Sequence, residues 1–90
     1  MTFSAMCSSR SGRPVANQFL IYDGKGNVYF QSYDTIIAKR DKHGKVTLSS
    51  SWNYSQTTGK YLNQFLNERK PDTERKIKNG TYSLVKSIAL

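Results

Sequence analysis

One stretch of the chain, residues 51–66, constrains the fold more than any other because it alone carries a clear helical pattern. Tyr61 with Phe65, and Leu62 with Leu66, are spaced four residues apart, so on a helix their side chains form one apolar stripe. The segments before this stretch have β-type patterns, and those after it are short and basic. We therefore expect one main helix that packs on a sheet formed by the earlier part of the chain.

Two residues compete to cap the N-terminus of this helix. Asn53 precedes Gln56 by three residues, which is the spacing of a capping box, and Ser55 is a second N-cap candidate. Trp52, the only tryptophan, directly precedes both caps, and we expect it to belong to the structural core. Gly59 lies inside the pattern, where glycine costs about 1 kcal/mol relative to alanine. Its presence indicates close packing of the helix on the sheet or a helix that begins after Gly59.

Four short runs of β-favouring residues precede the helix, at positions 18–22, 28–33, 35–40 and 45–49. Glycine-containing turns separate the first run from the second and the third from the fourth, a spacing typical of β-hairpins. In the last run Val46 and Leu48 alternate with Thr47 and Ser49, which predicts one buried and one exposed face. The runs together predict an antiparallel meander of three strands, or of four with a short continuation near Trp52.

The N-terminal segment shows no periodic pattern. Residues 1–16 are rich in serine and repeat with a period of neither two nor 3.6 residues, which predicts a flexible N-terminal arm. A single folded domain is then expected over residues 17–90.

A proline and an Asn-Gly pair divide the C-terminal part of the chain. Pro71 predicts the end of the main helix, because a proline ring disfavours the α conformation of the preceding residue. Asp72 or Thr73 can cap a short second helix that stops at positions 79–80, and residues 82–90 can add an edge strand. The predicted fold is therefore α+β, with a small antiparallel sheet, one main helix and a short second helix.

The formal net charge is +8, from 14 Lys and Arg residues against 6 Asp and Glu residues. This excess predicts attraction to phosphates, acidic proteins or anionic membranes, and the densest basic segment is 69–78. The candidate partner- or phosphate-binding residues are Lys60, Arg69, Lys70, Arg75, Lys76, Lys78, Arg10 and Arg13. A merely solvated surface is the alternative for the basic segment.

Three tyrosines in the predicted sheet are candidates for stacking on nucleic-acid bases. They are Tyr22, Tyr29 and Tyr33, and their alternative role is cross-strand packing. The basic and aromatic signature of an RNA-recognition motif is absent, so that domain type is not indicated.

No catalytic or metal-binding constellation stands out. His43 is the only histidine and Cys7 the only cysteine, and neither has a partner at metal-ligand spacing. We therefore expect a protein that is not an enzyme and needs no metal or cofactor. No apolar run approaches the roughly 20 residues that cross a bilayer, and the first residues lack the pattern of a secretory signal. A cytoplasmic protein without a membrane partner is expected.

Two motifs link the chain to a known group of proteins. The first is Trp52-Asn53-Tyr54-Ser55-x-Thr57-Thr58-x-Lys60-Tyr61-Leu62-x-x-Phe65-Leu66, and the second is Phe30-Gln31-Ser32-Tyr33-Asp34-Thr35-Ile36-Ile37-Ala38. With these motifs the sequence resembles a family of small bacteriophage-encoded proteins of largely uncharacterised function, over about residues 17–80. The family's tryptophan is often followed by Asp where this chain has Asn53, which also caps helices.

The resemblance implies a binding protein that inhibits a host nucleic-acid-handling defence complex, as anti-CRISPR proteins do. Its partner would be a host defence protein or nucleoprotein complex, such as a CRISPR effector, in the cytoplasm of an infected bacterium. Two alternatives stay open at this point. One is a basic protein that binds nucleic acid directly, and the other is a phage structural or assembly protein whose apolar C-terminal tail makes an oligomer contact. The oligomeric state is left open.

Overall fold

Six strands form one sheet in the computed structural model, which describes all residues from 1 to 90. The strands are β1 (Thr2–Cys7), β2 (Pro14–Tyr22), β3 (Val28–Ser32), β4 (Thr35–Arg40), β5 (Val46–Ser49) and β6 (Ser83–Val85). Two helices, α1 (Gln56–Leu66) and α2 (Lys70–Lys78), lie in the chain between β5 and β6. The strands are ordered as in the sequence, and all neighbours are antiparallel except β5 and β6, which are parallel.

The predicted fold class is therefore wrong in the number and the direction of the strands. The sheet has six strands and is mixed, and the chain is mostly sheet with two short helices, not a three- to four-stranded meander under one main helix. Of the two edge strands, β6 lies within the segment 82–90 that was expected to add an edge strand, whereas β1 was not predicted. β1 lies inside the predicted flexible arm and is exposed at five of its six positions, so its sequence shows no burial alternation. Pairing with β2, rather than an intrinsic pattern, makes this segment a strand.

The two central hairpins form where the sequence predicts them. Tyr22 pairs with Val28 across the first turn, and Arg40 pairs with Val46 across the second. The two turns also contact each other at one end of the sheet. A Cβ atom added to Gly26, whose φ is +93°, would lie 2.7 Å from Lys42 Cβ, so only glycine fits this position without a shift.

The register divides the side chains between two faces of the sheet, of which one lies under the helices. On this helical face Leu20, Phe30, Ala38 and Leu48 lie side by side across four strands and contribute to the core. An irregularity in the pairing of β3 with β4 gives β4 one additional residue, Ile37, and both Ile37 and Ala38 are fully buried. The bulge thus brings two consecutive residues into one core.

The other face carries no helix, and we call it the open face. Phe3, Ile21, Tyr29 and Lys39 form its corresponding row. Ile21 is completely buried, whereas Phe3 on the edge strand is 59% exposed. Lys39 Nζ lies 5.7 Å from the centre of the Tyr29 ring, a cation–π distance.

Helix α1 packs on the helical face through the predicted apolar stripe. Tyr61, Leu62 and Phe65 are buried, and Leu66 packs against the same core. The Phe65 ring stacks on the Phe30 ring with a centroid distance of 6.0 Å. The stripe was correctly predicted because its spacing of four residues fits one side of a helix.

Strand β4 stabilises the C-terminal end of α1. Arg40 Nη1 donates a hydrogen bond of 3.1 Å to the Phe65 carbonyl oxygen, and its guanidinium group lies 4.6 Å from the Phe65 ring centre. The last turn of α1 has no basic residue of its own, so the sheet supplies the cation that a helix C-terminus favours.

The ends of the helices differ from the prediction in three respects. One concerns α2, whose N-cap is Arg69 and not Asp72 or Thr73. Ser55, not Asn53, is the N-cap of α1, because its hydroxyl accepts a hydrogen bond of 3.1 Å from the Thr58 backbone N–H. Asn53 lies in the preceding turn and is exposed. Pro71 does not end α1, which stops at Leu66, but lies in the first turn of α2, where its missing N–H is harmless.

Gly59 has neither of the two expected roles. Helix α1 begins three residues before it, and a Cβ atom added to Gly59 would meet no atom within 4 Å. The glycine therefore leaves open space beside the helix rather than allowing close contact with the sheet.

Candidate functional site

A glutamate with a buried side chain joins the two helices to the entrance of β6. The Glu68 side chain is 6% exposed, and its carboxylate accepts hydrogen bonds from Lys76 Nζ at 2.7 Å, Thr73 Oγ1 at 2.6 Å and the Tyr82 hydroxyl at 2.7 Å. Burial acts to raise the pKa of Glu68, but the three hydrogen bonds and the charge of Lys76 outweigh it, so the pKa is lowered. The bond to Glu68 raises the pKa of Lys76. Burial raises the pKa of Tyr82, and the hydrogen bond to the Glu68 carboxylate raises it further.

This arrangement gives Lys76 a structural role that its basic neighbourhood in the sequence did not predict. Four other cations of the predicted set, Lys60, Arg69, Lys70 and Lys78, are exposed and form no salt bridge. Arg75 is exposed as well and forms a surface pair with Asp72 at 3.3 Å. Exposed pairs of this kind contribute little to stability, so Arg75 is easily released to another anion.

Three clefts indent the surface formed by the helices. The central cleft has a volume of about 740 Å³, the α2 cleft about 640 Å³ and the hairpin cleft about 410 Å³. The central cleft is lined by Trp52, Asn53, Tyr54, Ser55, Gln56, Gly59, Lys60, Leu62, Asn63 and Lys70. The α2 cleft is lined by Trp52, Pro71, Glu74, Arg75, Ile77 and Lys78. The hairpin cleft is lined by Ser9, Lys60, Asn63, Gln64, Asn67, Glu68 and Arg69.

Neighbouring clefts share their walls. Trp52 borders both the central cleft and the α2 cleft, while Lys60 and Asn63 border both the central cleft and the hairpin cleft. The α2 cleft and the hairpin cleft therefore each adjoin the central cleft on the helical side of the molecule. We call the three clefts together the helical groove.

The turn between β1 and β2 forms one end of the helical groove. Gln64 Nε2 of α1 donates a hydrogen bond of 2.8 Å to the carbonyl oxygen of Cys7, at the end of β1. Ser9, in the turn that follows, lines the hairpin cleft. Arg10 and Arg13 are exposed in the same turn. The fold thus brings the turn that holds both N-terminal arginines next to a cleft lined by cations of the helical segment.

The tyrosines proposed for base stacking do not line the groove. Tyr29 is buried on the open face, and Tyr22 and Tyr33 are 42% and 45% exposed outside the three clefts. Tyr54, which is 59% exposed, is the tyrosine that lines the central cleft. The sequence around Tyr54 predicts an architectural helix start. The signal for a surface role is the group of amide and hydroxyl side chains that surrounds Trp52 and Tyr54 in the sequence.

The N-terminus of α1 adds a favourable field for anions at the central cleft. Ser55, Gln56 and Gly59, all from its first turns, line this cleft. No acidic residue lies in the first turn, so the partial positive charge of the helix end is not neutralised there. No carboxylate lines the central cleft at all.

The fold and the groove define a small mixed-sheet protein with a basic and aromatic surface on its helical side. The chain belongs to the DUF8033 family, a family of unknown function, whose profile matches residues 1–81. No curated protein and no solved structure matches the chain. Neither of its two helices has the length and the apolar character needed to span a bilayer.

Proposed function

We propose that this protein is a non-enzymatic binding protein whose ligand is nucleic acid, either free or as part of a host nucleoprotein complex. The observation that supports this most is the placement of the exposed cations that form no salt bridge. Lys60, Arg69, Lys70 and Lys78 come from two helices and the link between them, and all four line the helical groove.

A polyanion is the ligand class that such a groove favours. Each lysine or arginine that neutralises a phosphate releases a condensed counterion, which contributes to affinity independently of sequence. The net charge of +8 acts in the same direction at longer range, because it raises the rate of encounter with a negatively charged strand. The central cleft adds two aromatic rings to these charges, a combination typical of nucleic-acid-binding surfaces.

Fluorescence anisotropy with a labelled oligonucleotide at two salt concentrations tests the proposal. We expect the logarithm of the affinity to fall linearly with the logarithm of the salt concentration, with a slope of about −0.7 for each phosphate contacted on a single strand. The double variant Lys60→Glu, Lys70→Glu changes two residues of the central cleft. The matched control, Lys25→Glu, Lys42→Glu, makes the same charge change in the two turns at the end of the sheet, outside the groove.

The groove variant is expected to bind at least about 10-fold more weakly than the control, since charge reversal replaces attraction of a phosphate by repulsion. Equal loss in both variants would mean that only net charge matters and that the groove is not the site. An absence of binding at low salt would contradict the proposal as a whole.

The second candidate function is inhibition of a host defence complex by binding to an acidic protein surface, and the α2 cleft favours it. Trp52, Pro71 and Ile77 give this cleft apolar walls, and Arg75 and Lys78 stand beside them. An apolar pocket next to cations suits an aliphatic or aromatic side chain of a partner protein that is flanked by carboxylates.

A pull-down from host lysate separates this candidate from direct nucleic-acid binding. After nuclease treatment, a component of a nucleic-acid-handling defence complex should be retained by the native chain and by a Lys25→Glu control. The Lys78→Glu variant should lose it. Retention that disappears with the nuclease would favour the nucleic-acid ligand instead.

A further inference from the structure

The shape and lining of the central cleft determine which form of nucleic acid the groove accepts. We infer that the ligand is an unpaired strand, of which at least one base stacks on the aromatic rings of the central cleft. This inference rests on the proposed function, because it assigns the ligand class of the same groove.

Two aromatic side chains lie where a base can reach them. Trp52 is half-buried, packs against the core on one side and borders two clefts on the other. Tyr54 is 59% exposed and lines the central cleft two residues later. Bases of every kind have a π-face, so stacking on such rings tolerates any sequence.

The uncharged polar side chains of the central cleft suit hydrogen bonding to the edges of a base. Asn53, Gln56 and Asn63 present amides, each of which offers donors and acceptors. Lys60 and Lys70 line the same cleft, in reach of a backbone that follows the groove. Amides and aromatic rings for the base, with lysines for the phosphates, form a complete set for an unstacked nucleotide.

A duplex does not fit this arrangement. Proteins that read duplex DNA insert a projecting helix or ribbon into a groove of the nucleic acid, whereas here the helical side is itself indented. Bases within a duplex are stacked on each other and cannot reach rings inside a cleft. Only the charges of the groove remain available to a duplex, so it should bind more weakly and without engaging Trp52.

Trp52 allows a direct test because it is the only tryptophan of the chain. Its fluorescence is followed while the full-length protein is titrated with an oligothymidylate of about twelve nucleotides, a length within the range of known single-strand sites. An oligouridylate of equal length, a duplex of equal length and an abasic strand with the same number of phosphates are titrated in parallel. The two unpaired strands should change the emission of Trp52, and the duplex and the abasic strand should not.

We expect the unpaired strands to bind about 10-fold to 100-fold more tightly than the abasic strand, as the loss of base stacking predicts. The affinity for oligothymidylate relative to oligouridylate shows whether the natural ligand is single-stranded DNA or RNA. Tyr54→Ala should weaken binding of oligothymidylate by about 5-fold to 100-fold. Its matched control, Tyr22→Ala, removes a ring of similar exposure outside the groove and should leave the affinity unchanged.

The outcomes separate the inference from the proposal on which it rests. Equal affinity for oligothymidylate, duplex and abasic strand, with no change in Trp52 emission, would overturn the inference while leaving nucleic-acid binding intact. Binding of none of the four probes at low salt would overturn both. Circular dichroism of Tyr54→Ala establishes that the variant is folded, which the exposure of this side chain leads us to expect.

Discussion

The helical face and the open face are formed by the same strands, yet they differ in almost every property. The helical face carries the hydrophobic core, both helices, the Glu68 cluster and the groove with its cations. The open face carries an apolar row of Phe3, Ile21 and Tyr29, with Lys39 as its charge. Alternation within the strands puts apolar residues on both faces, so it does not say which face becomes the core. The apolar stripe of α1 makes that choice.

The difference between the two faces indicates where substitutions should affect stability or binding. A change on the helical face alters the core, the helices or the surface that we propose for binding. A change on the open face alters a sheet surface that no helix covers. Four substitutions test this contrast, and the first three have a partner substitution at a contrasting position.

The largest effect is expected from Phe30→Ala. Phe30 is fully buried and stacks on Phe65, so its truncation leaves a cavity and should cost about 3–5 kcal/mol of unfolding free energy. Phe3→Ala on the open face removes the same side chain where it is 59% exposed, and should change stability by no more than about 0.5 kcal/mol. Chemical denaturation of both variants measures the difference. A comparable loss at Phe3 would show that the open face is covered in solution.

The second effect concerns the charged cluster between the helices. Glu68→Gln weakens the hydrogen bonds from Lys76, Thr73 and Tyr82, and should cost about 2–3 kcal/mol at neutral pH. The control is Glu74→Gln, an exposed glutamate of α2 that forms no salt bridge. Its stability should stay close to that of the native chain.

The same pair of variants predicts a pH dependence. The pKa of Glu68 is lowered by folding, so its contribution is complete above the unfolded pKa of about 4.3 and is lost as pH falls through the lower folded pKa. The difference in stability between the native chain and Glu68→Gln should therefore narrow below about pH 4. A difference that stays constant from pH 7 to pH 3 would contradict the assigned role of the carboxylate.

A smaller effect tests the start of α1 on the helical side. Ser55→Ala removes the side chain that accepts the Thr58 N–H and should cost about 1 kcal/mol. Asn53→Ala removes the other sequence candidate for this cap, which lies exposed in the preceding turn, and should be nearly neutral. Thermal unfolding of the two variants decides between the caps, and the reverse order of stabilities would restore the capping box at Asn53.

The smallest effect has the opposite sign. Gly59→Ala meets no atom within 4 Å and replaces a helix-interior glycine, so it should stabilise the protein by about 0.5–1 kcal/mol. The added methyl group narrows the central cleft, which Gly59 lines. A variant that unfolds at higher temperature but binds oligothymidylate more weakly would separate the stability of the helical side from its proposed function. Unaltered binding would place the ligand away from this part of the cleft.

Local structure could be predicted from the sequence where the apolar residues of a periodic pattern are also the residues that the fold buries. The hairpins around positions 23–27 and 41–45, and the stripe from Tyr61 to Leu66, have such patterns. β1 was missed because it is an exposed edge strand, and β6 was not firmly predicted because its three residues are too few to show a period. β1 is a strand because it pairs with β2, its neighbour in the sequence, and β6 is a strand because it pairs with the distant β5.

The candidate site was predictable as a set of residue types but not as an arrangement. The basic residues could be counted, but Lys76 was grouped with them because its partner Glu68 is eight positions away and meets it only in the folded helices. The approach of the turn containing Arg10 to α1 depends on the contact of Gln64 with Cys7, which spans 57 positions. No local pattern encodes such contacts, and the clefts depend on them.

The parallel pairing of β6 also has a consequence for the order in which the chain folds. The first five strands are neighbours in both sequence and space, so their contacts close short loops and form rapidly. β6 pairs Ser83 with Thr47 and must await both helices, which makes it the slowest contact to close. During synthesis the first five strands leave the ribosome before β6 does. During that interval the β5 edge is open, and association between nascent chains at this edge competes with the last step of folding.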